Sequence, residues 1–259
     1  MNVEKLTNEV IAWIQDWFNN KSGNAKGVIL GISGGKDSSI VAALCAKALG
    51  KDKVCGVLMP NGDQRDIDDA IEICKFLGIR YRIVNIASIV EALNNSIRFS
   101  PAYYENEEMD KFFPLSAHTQ TNIPPRVRMT ILYAIGQELG YRVVGTGNFS
   151  ERFIGYFTKW GDGACDFNPI GWLNTEEMIA IGNYLNLPGH LVNKEPTDGL
   201  CGKTDEENLG YSYEDVNTFS IYKTCGDEEI DKKIEKAHLY SQHKLNSIPM
   251  FIPFPDINS

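Results

Sequence analysis

Short apolar runs alternate with helical patterns along the first third of the chain. The runs GVILGIS (27–33), VCGVLMP (54–60) and RYRIVNI (80–86) are rich in β-branched residues and have the length of strands. The segments between them repeat apolar residues at helical spacing and end at Gly50 and Gly78, and glycine is a common residue at the end of a helix. Because strands and helices that alternate in this way form right-handed βαβ units, the pattern predicts a parallel sheet.

A fourth strand is predicted after a longer gap. Pro124 and Pro125 fit the first turn of a helix that continues to Gly140, and the run YRVVGT (141–146) follows it. Near the N-terminus, apolar residues recur three or four positions apart: Val3, Leu6, Val10, Ile14 and Trp17. This stripe predicts a helix that packs on a larger part of the fold.

Two segments lack periodicity. Residues 99–122 mix charged and aromatic residues and are expected to form a loop or lid without secondary structure. Residues 196–210 are expected to form a second irregular loop.

The segment between these two loops contains a helix start. Asn174 with Glu177 three residues later predicts a capping box. Two more helices are predicted near 212–224 and 227–245. These elements predict a single domain over residues 1–259, an α/β fold with a doubly wound, Rossmann-like parallel sheet and helices on both faces.

The composition narrows the function classes. With 43% hydrophobic and 23% charged residues, the chain has the composition of a globular protein. The 25 Lys and Arg against 34 Asp and Glu give a formal net charge of −9 without a basic cluster, so general nucleic-acid binding is not expected. No apolar run reaches about 18 residues and the N-terminus resembles no targeting peptide, so a soluble cytoplasmic protein without membrane contact is expected. The six cysteines include no CxxC pair and are expected to be reduced, and the histidine spacing indicates no zinc site.

The strongest candidate for chemistry is the polar loop SGGKDSS (33–39), because it follows the first strand and opens a helix. Ligands of open α/β sheets bind beyond the carboxyl ends of the strands, where a helix N-terminus offers free backbone N–H groups to an anion. Glycines allow the backbone to approach a phosphate, and serine hydroxyls can donate hydrogen bonds to it, although both residue types also serve as simple helix caps. The residues expected to surround the phosphate are Ser33, Gly34, Gly35, Lys36, Ser38 and Ser39.

Asp37 lies in the same loop, where a carboxylate would repel a phosphate unless a cation lay between them. Asp37 is therefore predicted to bind Mg²⁺. Glu151 follows the fourth strand, which adjoins the first in a doubly wound sheet, so it is expected to face Asp37 and share the cation. The loop is not a Walker A motif, because Leu30 stands where that motif has a glycine and Asp37 where it has Ser or Thr.

The loop resembles the SGGxDS motif of the ATP pyrophosphatases, which cleave ATP between the α and β phosphates to adenylate a substrate. Four further motifs narrow the resemblance: GTGNFSE (145–151), GYFTKWGDGACD (155–166), EPT (195–197) and DEENLGY (205–211). In this order and at similar spacing, they resemble the signature of the ammonia-dependent NAD synthetases over nearly the whole chain. The resemblance implies the adenine nucleotide alpha hydrolase type of fold. It also implies a ligase that converts deamido-NAD, ATP and ammonia to NAD, AMP and pyrophosphate through an acyl adenylate.

The same resemblance implies individual site residues. It places ATP contacts at Thr146 and Thr197 and the catalytic Mg²⁺ ligands at Asp37 and Glu151. Deamido-NAD contacts are implied at Arg126, Lys159, Asp166, His243 and Lys244. Arg126, expected in the first turn of its helix, is in a suitable setting to hold a dinucleotide pyrophosphate. A homodimer with deamido-NAD at the subunit interface is also implied, and the N-terminal stripe with Trp13 and Trp17 is expected either to serve that interface or to cover the sheet. The synthetase pattern fills the chain and leaves no room for a glutaminase domain, so free ammonia is the expected nitrogen source.

The chain departs from the family pattern at a few positions. Thr175 stands where the family usually has a lysine that contacts ATP, and Lys36 in the phosphate loop is a candidate for the compensating charge. Trp160 and Ala164 stand where Tyr and Gly are usual. Either Asp162 or Asp166 could accept a proton from ammonium, and the sequence does not decide between them.

Two other functions fit the loop. A tRNA-modifying adenylating enzyme would share the ATP chemistry, but the acidic net charge argues against it. A nucleotide-binding regulator without turnover would keep the loop, and Thr175 favours this alternative while the presence of both Asp37 and Glu151 argues against it.

Overall fold

Helices and strands alternate along the chain in a computed structural model. The structure describes residues 1–64, 66–104, 107–110, 112–194 and 205–251. The side chains of residues 103, 104 and 107–110 are not described. The strands are β1 (Gly27–Gly31), β2 (Val54–Leu58), β3 (Arg80–Ile83), β4 (Ala102–Tyr104), β5 (Glu107–Asp110) and β6 (Tyr141–Val143). The helices are α1 (Val3–Lys21), α2 (Lys36–Leu49), α3 (Ile67–Leu77), α4 (Ala87–Arg98), α5 (Ala117–Leu139), α6 (Phe149–Ile154), α7 (Thr175–Tyr184), α8 (Gly189–Val192), α9 (Asp205–Leu209), α10 (Tyr213–Tyr222) and α11 (Glu228–Leu245).

The four predicted strands form one parallel sheet in the order β3-β2-β1-β6. In the register, Ile29 of β1 lies opposite Cys55 of β2 on one side and Val143 of β6 on the other. The chain therefore builds outwards from β1 in one direction and then returns to the other side of β1. The switch between β1 and β6 opens a crevice at the carboxyl ends of these two strands.

Helices cover both faces of the sheet, as predicted. Val28 and Leu30 of β1 are buried against α1, α2, α3, α7 and α8, whereas Ile29 points to the opposite face and packs with residues of α4 and α5. This alternation follows from the two-residue period of a strand. The central strands are thus buried on both sides, which fixes the carboxyl ends of β1 and β6 in place.

The N-terminal stripe covers the sheet within its own subunit. Val10, Ile14 and Phe18 of α1 are buried in the core, and Trp17 stacks on Phe167 with ring centroids 4.1 Å apart. Trp13 stays 44% exposed. The expectation that the stripe covers the sheet is therefore confirmed for most of its residues.

A separate cluster at the C-terminal end of the chain supports α6. Its buried residues come from α6, α10 and α11 and from Tyr211 just before α10, with Ile154, Val216 and Ile234 fully or almost fully buried. Ser150 of α6 also donates a hydrogen bond to Asn217 of α10 at 2.8 Å. The two late helices, which the sequence predicts correctly, thus hold the short helix that follows β6.

The segment 99–122 differs from the prediction of a loop without secondary structure. β4 and β5 pair as an antiparallel hairpin, and α5 already begins at Ala117. Ser116 caps this helix by accepting a hydrogen bond from the N–H of Thr119 at 3.2 Å. The cap is a recognisable signal, but the mixture of charged and aromatic residues around it hides any period.

The start of α5 is therefore corrected, because Pro124 and Pro125 lie inside the helix instead of in its first turn. A proline removes a backbone donor, so carbonyls one turn earlier need other partners. The carbonyls concerned are those of Gln120 and Thr121, four residues before the two prolines. Ile123 and Pro124 are buried, and this packing stabilises the turn.

The second predicted loop, 196–210, is also partly corrected, because α9 occupies Asp205–Leu209; residues 195–204 lie outside the described residues. Cys45, Cys55 and Cys74 are buried free thiols, and no disulfide joins cysteines of the described segments. None of the helices in those segments has the length and apolarity needed to cross a membrane.

Candidate functional site

The loop between β1 and α2 has the geometry of an anion site. Gly34 adopts φ +84°, and a Cβ at this position would lie 2.6 Å from the carbonyl oxygen of Asp66, so only glycine fits. Gly35 forms the N-cap of α2, and its N–H donates to Ser33 Oγ at 3.1 Å. The first backbone N–H groups of α2 therefore face the carboxyl end of the sheet, where a phosphate would meet the positive end of the helix dipole.

The serine hydroxyls of this loop surround the backbone of Gly35. Ser38 Oγ and Ser39 Oγ both donate to the carbonyl of Gly35, at 3.2 and 2.7 Å. Ser33 Oγ lies 3.2 Å from Ser38 Oγ. A hydroxyl can turn from such a partner to a phosphate oxygen without a change in the backbone. The predicted phosphate-binding residues are thus brought together around one turn.

Asn148 joins Asp37 of this loop to Glu151 of α6. Its side-chain amide donates to Asp37 Oδ2 at 3.2 Å, and its backbone N–H donates to Glu151 Oε2 at 3.0 Å. The N–H of Glu151 in turn donates to Asn148 Oδ1, which completes a capping box at the start of α6. Asp37 and Glu151, here called the carboxylate pair, therefore face the same crevice although they are far apart in the sequence.

The carboxylate pair is electrostatically unfavourable by itself. Burial raises the pKa of Glu151 well above the ordinary value, and the nearby charge of Asp37 raises it further. Burial also raises the pKa of Asp37, against the lowering effect of Lys36. Asp37 Oδ1 is buried and has no hydrogen-bond partner among the described residues. Two close carboxylates with a free buried oxygen provide the hard oxygen ligands that Mg²⁺ prefers, so the residues present fit a divalent cation.

Four basic residues meet beyond α6 and are here called the basic cluster: Arg126, Lys159, His243, which takes part through its backbone carbonyl, and Lys244. Lys244 Nζ donates to the carbonyls of Gly155 and Phe157 at 2.7 and 2.8 Å. Lys159 Nζ donates to the carbonyl of His243, and Arg126 Nε donates to the carbonyl of Lys159 at 3.3 Å. The predicted contacts on α5, on the segment after α6 and on α11 thus meet at one surface.

The electrostatics of the basic cluster favour an anion. Burial lowers the pKa of Lys244, and the charge of Arg126 lowers it further, whereas the charge of Asp162 raises it. The lowered pKa means that the positive charge of Lys244 is not fully compensated, so a bound anion would stabilise it. Trp160 lies beside this group with its ring 54% exposed and Lys159 Nζ 5.5 Å from the ring centroid. Trp160 has φ +59°, which is rare for a bulky residue and marks a backbone held in an unusual turn.

Two predicted contacts lie in a different setting from the one expected. Arg126 stands ten residues into α5, so the N-terminus of that helix does not assist it in binding an anion. Asp166 does not join the basic cluster through any hydrogen bond between described residues. Its Oδ2 accepts a hydrogen bond from the N–H of Val143 at 2.7 Å, and its N–H donates to the Val143 carbonyl at 2.8 Å.

The structure describes two of the three threonines singled out from the sequence, Thr146 and Thr175. Thr146 is half-buried just after β6, at the carboxyl edge of the sheet. Thr175 is the first residue of α7, where Oγ1 is buried and lacks a hydrogen-bond partner within the described part of the chain. Thr197 lies outside the described residues.

Sequence reasoning missed the role of Asn148 in the site. Asn148 was only part of a motif, although Asn148 and Glu151 have the same spacing as the Asn174–Glu177 capping box that the sequence does reveal. Arg128, two residues after Arg126, is half-buried, and its Nε donates to the carbonyl of Met59 just after β2, at 3.1 Å. No sequence signal separates Arg128 from an ordinary helical arginine.

Comparison with known proteins gives one consistent result. The model of the NAD synthase family matches residues 6–252. The NH(3)-dependent NAD(+) synthetase of Thermococcus sibiricus is 40% identical over 240 residues, which are 92% of this chain and 86% of that protein.

Two solved structures resemble the fold closely, each with 28% sequence identity. The NMN synthetase of Francisella tularensis has a TM-score of 0.85, covering 98% of this chain and 100% of that one. The NH3-dependent NAD synthetase of Campylobacter jejuni, in complex with a nitrate ion, has a TM-score of 0.77, covering 97% of this chain and 100% of that one.

Proposed function

The chain belongs to the NAD synthase family, and we propose that it converts deamido-NAD, ATP and ammonia to NAD, AMP and pyrophosphate. The observation that carries this proposal is the position of the carboxylate pair, which lies at the switch point between the phosphate loop and the basic cluster. ATP and a second anionic substrate can meet there at the carboxyl ends of β1 and β6.

In the first step, an oxygen of the nicotinate carboxylate attacks the α-phosphorus of ATP. The bond from that phosphorus to the oxygen shared with the β-phosphorus breaks, and pyrophosphate leaves. The phosphate loop receives it through the N–H groups at the start of α2 and the hydroxyls of Ser33, Ser38 and Ser39. The chain's contribution is thus chiefly the positioning of the reactants and the stabilisation of negative charge.

In the second step, ammonia attacks the carbonyl carbon of the acyl adenylate, and AMP leaves with the former carboxylate oxygen. Ammonium must first lose a proton, and Asp162 is the better candidate to accept it. Asp162 lies close enough to the carboxylate pair to raise the pKa of Glu151, and burial raises its own pKa although it accepts a hydrogen bond from the N–H of Thr158 at 2.9 Å. Asp166 instead accepts a hydrogen bond from the N–H of Val143. No side chain forms a covalent intermediate.

Asp37 and Glu151 would hold Mg²⁺ through their carboxylate oxygens, and Asp37 Oδ1 is free to do so. When bound, Mg²⁺ supplies positive charge that offsets the charge on the phosphate oxygens and on the departing pyrophosphate. Asn148 positions both carboxylates, because it donates one hydrogen bond to each.

The basic cluster would hold the pyrophosphate and carboxylate groups of deamido-NAD. Arg126, Lys159 and Lys244 present their charges towards one surface, and Trp160 offers an exposed ring for stacking on a planar base. Thr146 is proposed as an ATP contact at the sheet edge, and Thr197 keeps that role as a prediction from the sequence.

A mononucleotide substrate is the second candidate, because the NMN synthetase structure resembles the chain with a TM-score of 0.85. Formation of NMN by the same chemistry would start from nicotinate mononucleotide. The two substrates share the reacting carboxylate and differ in the adenylate half. The basic cluster favours the dinucleotide, since it provides more cationic groups than one phosphate requires.

The test is a competition between these substrates. The purified protein is incubated with ATP, Mg²⁺, ammonium and equal amounts of deamido-NAD and nicotinate mononucleotide, and NAD, NMN, AMP and pyrophosphate are quantified by mass spectrometry. We expect NAD, AMP and pyrophosphate in equal amounts, with no turnover by Glu151→Ala. Predominant NMN would favour the second candidate, and absence of AMP from the unmodified protein would refute both. Glutamine in place of ammonium is expected to give no NAD, since the proposed nitrogen source is free ammonia.

A homodimer and a cytoplasmic location are further parts of the proposal. Trp172 is 84% exposed and stacks on Phe149 at 5.9 Å, which gives an apolar surface next to α6 that a second subunit could cover. A monomeric mass by light scattering at working concentration would contradict the dimer.

A further inference from the structure

Lys36 is a buried cation inside the phosphate loop. It is the first residue of α2, its side chain is only 4% exposed, and its Nζ lies 3.7 Å from Asp37 Oδ2. A buried ammonium is unfavourable unless negative groups compensate it. Its charge lowers the pKa of both Asp37 and Glu151, so the carboxylate pair is the group that compensates it.

The same two carboxylates are the proposed ligands of Mg²⁺. An ammonium close to them cancels part of their negative charge and repels an incoming divalent cation. Mg²⁺ loses its water reluctantly and depends on phosphate oxygens as well as carboxylates in nucleotide sites. The Lys36 ammonium and a divalent cation therefore compete for one pair of ligands.

We propose that Lys36 makes the binding of divalent cation and nucleotide cooperative, by compensating the carboxylate pair before ATP binds and by contacting the ATP phosphates afterwards. The inference deepens the proposed function and rests on it for the identity of the nucleotide. The phosphates that enter the loop give the flexible lysine side chain a second anionic partner. The carboxylate pair is then free to bind the cation that accompanies the nucleotide. Such coupling is reciprocal, so the cation also strengthens nucleotide binding.

The first test measures Mn²⁺ binding, by electron paramagnetic resonance, to the full-length protein without nucleotide. Lys36→Met removes the charge and keeps an unbranched side chain, and Lys47→Met makes the same change at an exposed position of the same helix. We expect Lys36→Met to bind Mn²⁺ at least tenfold more tightly than the unmodified protein, with Lys47→Met unchanged. The gain should vanish in Lys36→Met combined with Glu151→Gln. Equal affinities in the two single variants, or a gain that survives Glu151→Gln, would overturn the proposal.

The second test can overturn the proposal with the unmodified protein alone, and Lys36→Met serves only as a comparison. Mn²⁺ affinity of the unmodified protein is measured without nucleotide and with saturating α,β-methylene-ATP, which resists cleavage between the α and β phosphates. We expect the protein with bound nucleotide to bind Mn²⁺ at least a hundredfold more tightly than the protein alone or the nucleotide alone. The corresponding increase in Lys36→Met should be much smaller. Tight Mn²⁺ binding without nucleotide would overturn the proposal even if Lys36→Met does not fold.

The two proposals fail in different ways. A protein that shows the expected Mn²⁺ coupling but forms neither NAD nor NMN would refute the proposed function and leave the role of Lys36 intact. A protein that forms NAD, and in which Lys36→Met and Lys47→Met bind Mn²⁺ alike, would refute only the role of Lys36.

Discussion

Glu151→Gln should stabilise the metal-free protein while it abolishes the reaction. The Glu151 side chain accepts a hydrogen bond from the N–H of Asn148 at 3.0 Å, and glutamine at this position of a capping box can accept the same bond. The substitution therefore removes a negative charge next to Asp37 and leaves the helix cap in place.

The size of the gain follows from the cost of that charge. Burial and the charge of Asp37 raise the pKa of Glu151 well above 4.5, so folding disfavours the ionised form although Lys36 partly compensates it. Each pKa unit corresponds to about 1.4 kcal/mol, and a buried group without full compensation costs about 1–3 kcal/mol. We expect the free energy of unfolding at pH 7.5 to rise by about 1–3 kcal/mol, or Tm by about 3–10 °C.

The sign of the pH dependence is fixed by the direction of the shift. A carboxyl group with a raised pKa in the folded state destabilises the fold at high pH. This cost shrinks as the pH falls below the folded-state pKa and is lost only below the ordinary pKa of 4.5. The gap between Glu151→Gln and the unmodified protein should therefore be widest at pH 7.5 and narrow towards pH 5. Saturating Mg²⁺ with nucleotide should reverse it, because only the unmodified pair binds the cation fully.

The assay is urea unfolding in EDTA at several pH values, with Glu177→Gln as the matched control. Glu177 holds the same position in the capping box of α7, where its Oε2 accepts from the N–H of Asn174 at 2.9 Å. We expect the control to change stability by less than about 0.5 kcal/mol. If Glu151→Gln is no more stable than Glu177→Gln at pH 7.5, the inferred strain of the carboxylate pair is wrong.

Two further substitutions test the supports of the site. Asn148→Asp should destabilise the metal-free protein by about 2 kcal/mol or more, because it replaces a donor to a buried carboxylate with a third negative charge. Asn174→Asp should leave the stability nearly unchanged, since aspartate caps a helix as well as asparagine does. Equal effects of the two substitutions in chemical denaturation would contradict the bridging role of Asn148. Gly155→Ala should lower the free energy of unfolding by about 1–3 kcal/mol more than Gly140→Ala does. Both glycines end a helix at φ near +70°, but only a Cβ at position 155 would lie 2.1 Å from Ser241 Cβ. Similar melting temperatures of the two variants would show that α11 yields at that contact.

The sheet and its switch point could be predicted because local signals agree with the global fold. The apolar runs of β1 and β2 are buried on both faces, so their composition alone identifies them as strands. Gly50 and Gly78 end helices as expected, and Asn174 caps α7. The position of Asp37 and Glu151 at one edge followed from this topology.

The remaining features depend on contacts between distant residues. The start of α5 was misplaced because Pro124 and Pro125 normally open a helix, whereas burial of Ile123 and Pro124 holds them inside one. Asn148 gives no sign in the sequence that its amide reaches Asp37 on another element. Pairings of this kind depend on packing between elements, which local propensity does not report.

The measurement that tests the proposed chemistry most directly is the fate of oxygen in a single turnover. Deamido-NAD labelled with ¹⁸O in both carboxylate oxygens is incubated with the protein, ATP, Mg²⁺ and ammonium, and the products are weighed by mass spectrometry. Attack on the α-phosphorus predicts one ¹⁸O in AMP, one in the amide of NAD and none in pyrophosphate. NAD formed with unlabelled AMP, or with label in inorganic phosphate, would contradict an acyl-adenylate reaction at this site.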